Sequence, residues 1–325
     1  MCGEEDGGEE SSGQEDRSEE DSRQEGCSAP NRVGRLTKAT RRRLDHVLVE
    51  RGFASSRQQA TDLIEHGGVL VSGTLAVKAS RLVAPSEPIH LTGPRARYVS
   101  RGGEKLAAAL DRFDLDVAGA RALDAGSSTG GFTDCLLQHG TRSVTALDVG
   151  RGQLHERLRG DDRVDAREQT DIRSYTLEDA GGSAYDVITA DLSFISVTRA
   201  VPMLAGDLAR PRADLVVLVK PQFEAGRSEA SKGRGIIRDA AVHRRTLGGV
   251  CSALANEGAT IRGAMPSPIT GHAGNIEFLV YAQAHVHEHG SDIDDMLDSA
   301  VAAAHRHAAR TTEGEDSPLI TGEGP

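Results

Sequence analysis

Four charged residues stand where apolar segments end. Val216–Val219 runs into Lys220-Pro221-Gln222-Phe223-Glu224, and Ile188-Thr189-Ala190 runs into Asp191-Leu192-Ser193-Phe194. Pro221 has no N–H for a sheet ladder, so the strand must stop there and expose Lys220 at its end. A lysine after so apolar a run is costly to desolvate unless a carboxylate is near, and Asp191 is the obvious partner. Gly274-Asn275-Ile276-Glu277-Phe278 places another acid at or in a late strand. Arg101-Gly102-Gly103-Glu104-Lys105-Leu106 places a second lysine at the start of a helix. Lysine is scarce here, five against 33 arginines, so a lysine at such a position is a rare choice. Two lysines and two acids at element ends can hold a proton acceptor and offer positive charge to a developing anion.

A glycine-rich turn lies upstream. Asp124-Ala125-Gly126-Ser127-Ser128-Thr129-Gly130-Gly131-Phe132 follows one apolar strand and opens a helix. Glycines there let the backbone approach a ligand and leave helix N–H groups free. The spacing is not GxGxxG, and no GxxxxGK[ST] string occurs, which argues against a nucleotide triphosphatase. The next strand ends in Leu147-Asp148-Val149-Gly150, with its acid 24 residues after Asp124. A carboxylate at that place suits ribose hydroxyls. A dinucleotide enzyme and an S-adenosylmethionine enzyme share this much.

The elements that must position these groups alternate from about 104 to 285. Strand candidates are Ala120–Leu123, Val144–Leu147, Tyr185–Ala190, Leu215–Val219 and Ile276–Tyr281, with helices at Phe132–His139, Val197–Leu208 and Asp239–Asn256 between them. This predicts an α/β unit with a mostly parallel, doubly wound sheet. Residues 41–94 predict a smaller α+β unit. Leu44, Val47, Leu48 and Phe53 keep helical spacing, Ser55 can cap a second helix, and Val69–Val71 with Leu75–Val77 make a hairpin that Ile89–Leu91 closes. Residues 95–103 read as a basic joint. The ends, 1–40 and 286–325, read as mostly disordered, with one amphipathic helix at 293–309.

Net charge points to a partner only after it is divided. The chain carries −11, but residues 1–30 hold −9, 31–103 hold +8 and 286–325 hold −7. One basic module is hidden in an acidic average. Its arginines Arg41, Arg42, Arg43 and Arg57 lie at or near helix starts and suit phosphate. Arg97 and Arg101 extend the charge into the joint. With 3% aromatic residues and no Trp, base stacking can do little of the binding, so phosphate and shape must do more. Cys2, Cys27, Cys135 and Cys251 are scattered, without a CxxC pair, which argues against a zinc site or disulfide scaffold. No apolar run is long enough to span a membrane, and no signal peptide is readable.

The module's string Arg43-Leu44-Asp45…Leu48…Gly52…Ser56-Arg57…Ala60…Ile64…Gly67-Gly68-Val69…Val71…Gly73…Lys78 resembles the alpha-L RNA-binding domain, which implies structured RNA as ligand. The ordered set from Ser100-Arg101-Gly102-Gly103-Glu104-Lys105-Leu106 to Gly274-Asn275-Ile276-Glu277-Phe278 closely resembles the TlyA family, known as hemolysin A and as an rRNA 2′-O-methyltransferase. Tyr98 stands where well-known members carry Trp. The second unit is also similar to FtsJ-type ribose methyltransferases. The resemblance implies a Rossmann-like S-adenosylmethionine-dependent enzyme whose Lys-Asp-Lys-Glu tetrad falls on Lys105, Asp191, Lys220 and Glu277. The expected donor site has Gly126, Gly130 and Gly131 at the methionine end, Ser127 and Phe132 also binding the cofactor, Asp148 at the ribose and Asp171 by the adenine. The expected substrate is ribosomal RNA or ribosomal subunits, at cytidines of both subunits, in the cytoplasm, with no metal and no membrane. Two other classes remain: a secreted membrane-lytic hemolysin, which the acidic ends and missing apolar span oppose, and a non-catalytic RNA-binding assembly factor, which the intact tetrad opposes.

Overall fold

The computed structural model describes residues 41–54, 57–65, 67–92, 97–226, 229, 233, 235–271, 274–286 and 293–314. The readings for 1–40, for the Ser55 cap and for 315–325 lie outside the described residues.

The first unit is small and α+β. Helices α1 (Leu44–Glu50) and α2 (Arg57–Glu65) pack over a three-stranded sheet of β2 (Val69–Val71), β3 (Thr74–Leu75) and β5 (Ile89–Leu91). Two short strands, β1 (Arg42–Arg43) and β4 (Leu82–Val83), pair beside them. Leu44, Val47, Leu48, Ala60, Ile64, Val69 and Val71 form its core, as their spacing predicts. Ser72 and Gly73 both take positive φ, 51° and 77°, which is the two-residue turn whose twist suits a hairpin.

The second unit is a Rossmann-like, seven-stranded sheet. Its strands are β6 (Arg121–Ala125), β7 (Ser143–Leu147), β8 (Val164–Arg167), β9 (Tyr185–Ala190), β10 (Ala209–Val219), β11 (Thr260–Pro266) and β12 (Phe278–Gln283). They lie in the order β11-β12-β10-β9-β6-β7-β8. All neighbours from β10 to β8 are parallel, while β12 is antiparallel to β10 and to β11. The chain leaves β6 for β7 on one side and later returns to β9 on the other. That reversal opens a crevice at the carboxyl ends of the strands, where open α/β sheets bind ligands. Apolar layers cover both faces, one around Ile188, Val217 and Val280, the other around Leu106, Val144 and Val216.

Four differences from the expected layout have local causes. Strands β8 and β11 were not foreseen: they are the sheet's edges, and Val-Asp-Ala-Arg or a Gly- and Pro-containing run lacks an apolar signature. Val197–Leu208 is a short 3₁₀ turn and a five-residue helix, Val201–Ala205, rather than one long helix. The joint is packed: Tyr98 and Val99 are buried in the second unit's core, and α3 (Gly102–Phe113) has already begun at Gly102. The C-terminal amphipathic helix is longer than expected, Ile293–Gly314, and it docks on the helix Ala240–Asn256 and on β11. Its Leu297, Val301 and Ala304 are buried in the main core, and Arg244 bridges Asp294 and Asp298 in its first turns.

Candidate active site

Sheet register assembles the four charged residues. Val219 of β10 pairs with Phe278 of β12, so the next residues outward, Lys220 and Glu277, emerge side by side at the sheet's end. Ala190 of the parallel neighbour β9 precedes Asp191 on the same edge. Lys220 Nζ lies 2.6 Å from Asp191 Oδ1 and donates to Ser193 Oγ at 2.7 Å. Lys105, from the first turn of α3, donates to Glu277 Oε2 at 2.5 Å. Glu277 and both lysines are largely buried, so Lys220 is less exposed than a strand terminus suggested. The desolvation cost is offset by the paired charges, as the sequence required.

The glycine turn forms one wall of a cleft of about 110 Å³ at this edge. Gly126, Ser127, Ser128, Gly131 and Phe132 line it together with Lys105 and Asp191. Gly126 has φ of +85°, and a Cβ there would come 2.5 Å from the Asp191 carbonyl oxygen, so glycine lets the two site loops touch. Gly130 also has positive φ, but it faces Leu158 and does not line the cleft. Asp148 sits beside the turn, where its carboxylate accepts from Ser128 N at 2.9 Å and Gly150 N at 2.7 Å. Asp171 is outside the cleft lining; it caps a 3₁₀ turn and pairs with Arg173. Asp124, the acid that opens the motif, is fully buried and accepts from Thr133 Oγ1 at 2.6 Å and Thr189 Oγ1 at 3.2 Å. Burial, aided by the nearby Asp191 charge, pushes its carboxyl up to about 7.

Several partners were not foreseen. Ser193 accepts from Lys220. Glu224, four residues after Lys220, accepts from Ser196 Oγ and Val197 N and so ties the loop after β9 to the turn after β10. Burial pushes the Glu224 carboxyl up. Phe194 is 89% exposed with φ of +68°, and its ring lies 5.6 Å from that of Phe223. A large apolar side chain held outward next to Ser193, on a backbone conformation that costs about 1–2 kcal/mol, is a signal only the fold reveals.

Arg41, Arg42, Arg43 and Arg57 are committed to internal ion pairs. Arg43 and Arg57 each reach Asp45 Oδ2 at 2.9 Å, and their guanidiniums hold its buried carboxyl well below the usual range. Arg42 pairs with Glu50 and Arg41 with Glu87. The first N–H groups of α1 are not free for phosphate, because Leu44 N and Asp45 N bond to Arg81 O and Ala79 O, and His46 N bonds to the Asp45 carboxylate. Arg43 and Arg57 nevertheless keep 45% and 58% of their side-chain surface exposed. Arg97 lies over the Tyr98 ring, and Arg101 donates to the Thr270 carbonyl at 2.6 Å.

Comparison with known proteins matches these two units. Residues 98–284 match the FtsJ-like methyltransferase family, and residues 42–89 match the S4 domain. The chain is 43% identical to the 16S/23S rRNA (cytidine-2′-O)-methyltransferase TlyA of Mycobacterium tuberculosis (strain CDC 1551 / Oshkosh), over 75% of this chain and 90% of that protein. It is 39% identical to the Hemolysin A of Brachyspira hyodysenteriae, over 74% of this chain and 98% of that one. A solved structure from Streptococcus thermophilus aligns with a TM-score of 0.69 at 36% identity, covering 85% of this chain and 99% of that one. An S4 domain followed by an FtsJ-like methyltransferase fold, with relatives of this extent, places the chain in the TlyA family.

Proposed function

We propose that this protein methylates ribose 2′-hydroxyls of ribosomal RNA, at cytidines of the small and large subunits, with S-adenosylmethionine as donor and in the cytoplasm. The observation that carries the reading is the cleft itself: Lys105 and Asp191 line it beside the glycine turn, each locked in an ion pair with Glu277 or Lys220.

The residues present fit the donor. The cleft is too small for a whole nucleoside and suits a methionine arm, which Gly126, Ser127, Gly131 and Phe132 would hold. A carboxylate has about four acceptor sites. Two N–H groups use part of Asp148, so it retains capacity for ribose hydroxyls. Asp171 remains assigned to the adenine side, with its carboxylate shared with Arg173. Bound there, S-adenosylmethionine supplies an electrophilic methyl group on a good leaving group.

The remaining work belongs to the acceptor. A ribose hydroxyl is a poor nucleophile until it sheds its proton as the new C–O bond forms. Lys220, oriented by Asp191 and Ser193, is placed to relay that proton, accepting it at Nζ after passing one of its own to the Asp191 carboxylate. Lys105, fixed by Glu277, keeps a positive charge in the same cleft for the oxygen as it becomes anionic. Both lysines are held before substrate arrives, so little reorganisation accompanies the step. Arg43 and Arg57 would present their exposed faces to RNA phosphates, with Arg41, Arg42, Arg97 and Arg101 adding to the field.

The test is mapping of 2′-O-methyl groups on ribosomal RNA and intact subunits incubated with the purified protein and donor. Discrete cytidine positions should become methylated. Absence of new 2′-O-methyl groups in every RNA preparation overturns the reading.

A further inference from the structure

A second, larger cavity shares a wall with the cleft. It measures about 640 Å³, within the range of pockets that enclose small molecules. The Lys105–Glu277 pair is the partition: Lys105 lines the cleft, and Glu277 lines the second cavity. The start of α3 is divided in the same way, since Ser100, Gly102 and Lys105 face the cleft while Arg101 faces the cavity. The turn at 266–270 and Ile276 form one side, and Ala303, Arg306 and neighbouring residues of the C-terminal helix form the other.

The cavity is built rather than incidental. Arg101 is anchored by its bond to the Thr270 carbonyl, which braces the turn. The C-terminal helix is held by Arg244 at its first turns, by burial of Leu297, Val301 and Ala304, and by a 3.0 Å contact between His305 and the buried His243. Its walls are mostly apolar, with Arg101 and Arg306 supplying positive charge. Arg306 is exposed, and among the described residues it makes no ion pair. An apolar slot with cationic groups, next to the charges that meet the acceptor ribose, matches a planar base joined to a phosphate.

We propose that this cavity receives the RNA nucleotide adjacent to the methylated one, with its base against the apolar walls and its phosphate toward Arg306 and Arg101. The proposal rests on the RNA ribose methyltransferase reading above. It gives the docked C-terminal helix, which lies beyond the FtsJ-like match, a part in substrate binding.

Three variants test it: Arg306→Glu reverses the charge, Arg306→Lys keeps it, and Ala303→Trp fills the space. Single-turnover methyl transfer is measured across RNA concentrations at several salt levels, with donor affinity by calorimetry and thermal melting as checks on the fold. Arg306→Glu and Ala303→Trp should each raise the half-saturating RNA concentration at least about tenfold, with donor affinity held within about twofold. Arg306→Glu should also lower the salt slope by about one, which a merely structural effect would not do, and Arg306→Lys should retain the slope. Half-saturation within about twofold of the parent for both Arg306→Glu and Ala303→Trp overturns the proposal. A parent protein that methylates no ribosomal RNA overturns the underlying reading instead.

Discussion

Lys220 Nζ forms an ion pair with Asp191 Oδ1 at 2.6 Å and donates a hydrogen bond to Ser193 Oγ at 2.7 Å, so the ammonium is held by one acid and one hydroxyl. That arrangement separates a proton carrier from a counter-ion. An arginine would neutralise Asp191 but cannot give up its proton at usable pH. Lys220→Arg is therefore expected to lose about 10²–10⁴ in single-turnover rate, nearly as much as Lys220→Ala, while binding donor normally. Lys105→Ala should fall in the same range, with Glu277 left buried and unpaired. A Lys220→Arg enzyme within about threefold of the parent would exclude proton transfer at this position.

Asp45 is shared by Arg43 and Arg57, so these arginines have a structural duty as well as a proposed RNA contact. Replacing both with alanine should weaken RNA binding and reduce its salt slope by about two, but it also strands a buried carboxylate. A triple variant with Asp45→Asn added removes the stranded charge. Its melting temperature should recover while RNA affinity stays low. Recovery of RNA binding in the triple variant would show that the arginines only hold the module together. Because the folded Asp45 carboxyl is held below its ordinary range, its contribution is present at neutral pH and fades as pH falls below about 4.

Phe194 stands exposed beside the Lys220 partner Ser193, with Phe223 supporting its ring. Stacking of one base on an aromatic ring contributes about 1–3 kcal/mol. Phe194→Ala should weaken the RNA-dependent step roughly 10–100-fold without changing donor affinity, and Phe194→Tyr should retain most activity. Parent-like RNA kinetics for Phe194→Ala would remove the ring from the substrate site.

Asp124 makes a pH prediction with a defined sign. Its folded value of about 7 is above the ordinary 3.8, so between those limits the folded chain holds a proton that the unfolded chain releases. The contribution is fully present below about pH 4 and is lost as pH rises through 7. Denaturant unfolding at pH 5 and pH 8 should show a larger loss of stability in the parent than in Asp124→Asn. An equal loss in the two proteins contradicts the raised value.

Asp148 holds the glycine turn through Ser128 N and Gly150 N and remains the candidate for ribose hydroxyls. Asp148→Ala should weaken donor binding at least about tenfold in calorimetry. Unchanged affinity would remove Asp148 from the donor site.

The sequence alone determined whatever depends on near neighbours. An apolar run stopped by Lys220-Pro221 is legible because the missing proline N–H ends a strand locally. The glycine turn after β6, the hairpin at Ser72-Gly73 and the helix capped by Asp239 follow from backbone and capping preferences in the same way. The tetrad came from family resemblance, since no local rule pairs Lys105 with Glu277, 172 positions away. Only the tertiary structure decided that pairing, because it depends on the register of β12 against β10 and on where α3 begins. It also decided that Arg43 and Arg57 share Asp45, that Phe194 faces outward, and that the C-terminal helix walls a cavity. Each of these rests on contacts between elements whose apolar spacing says that they pack, but not against what or at which angle.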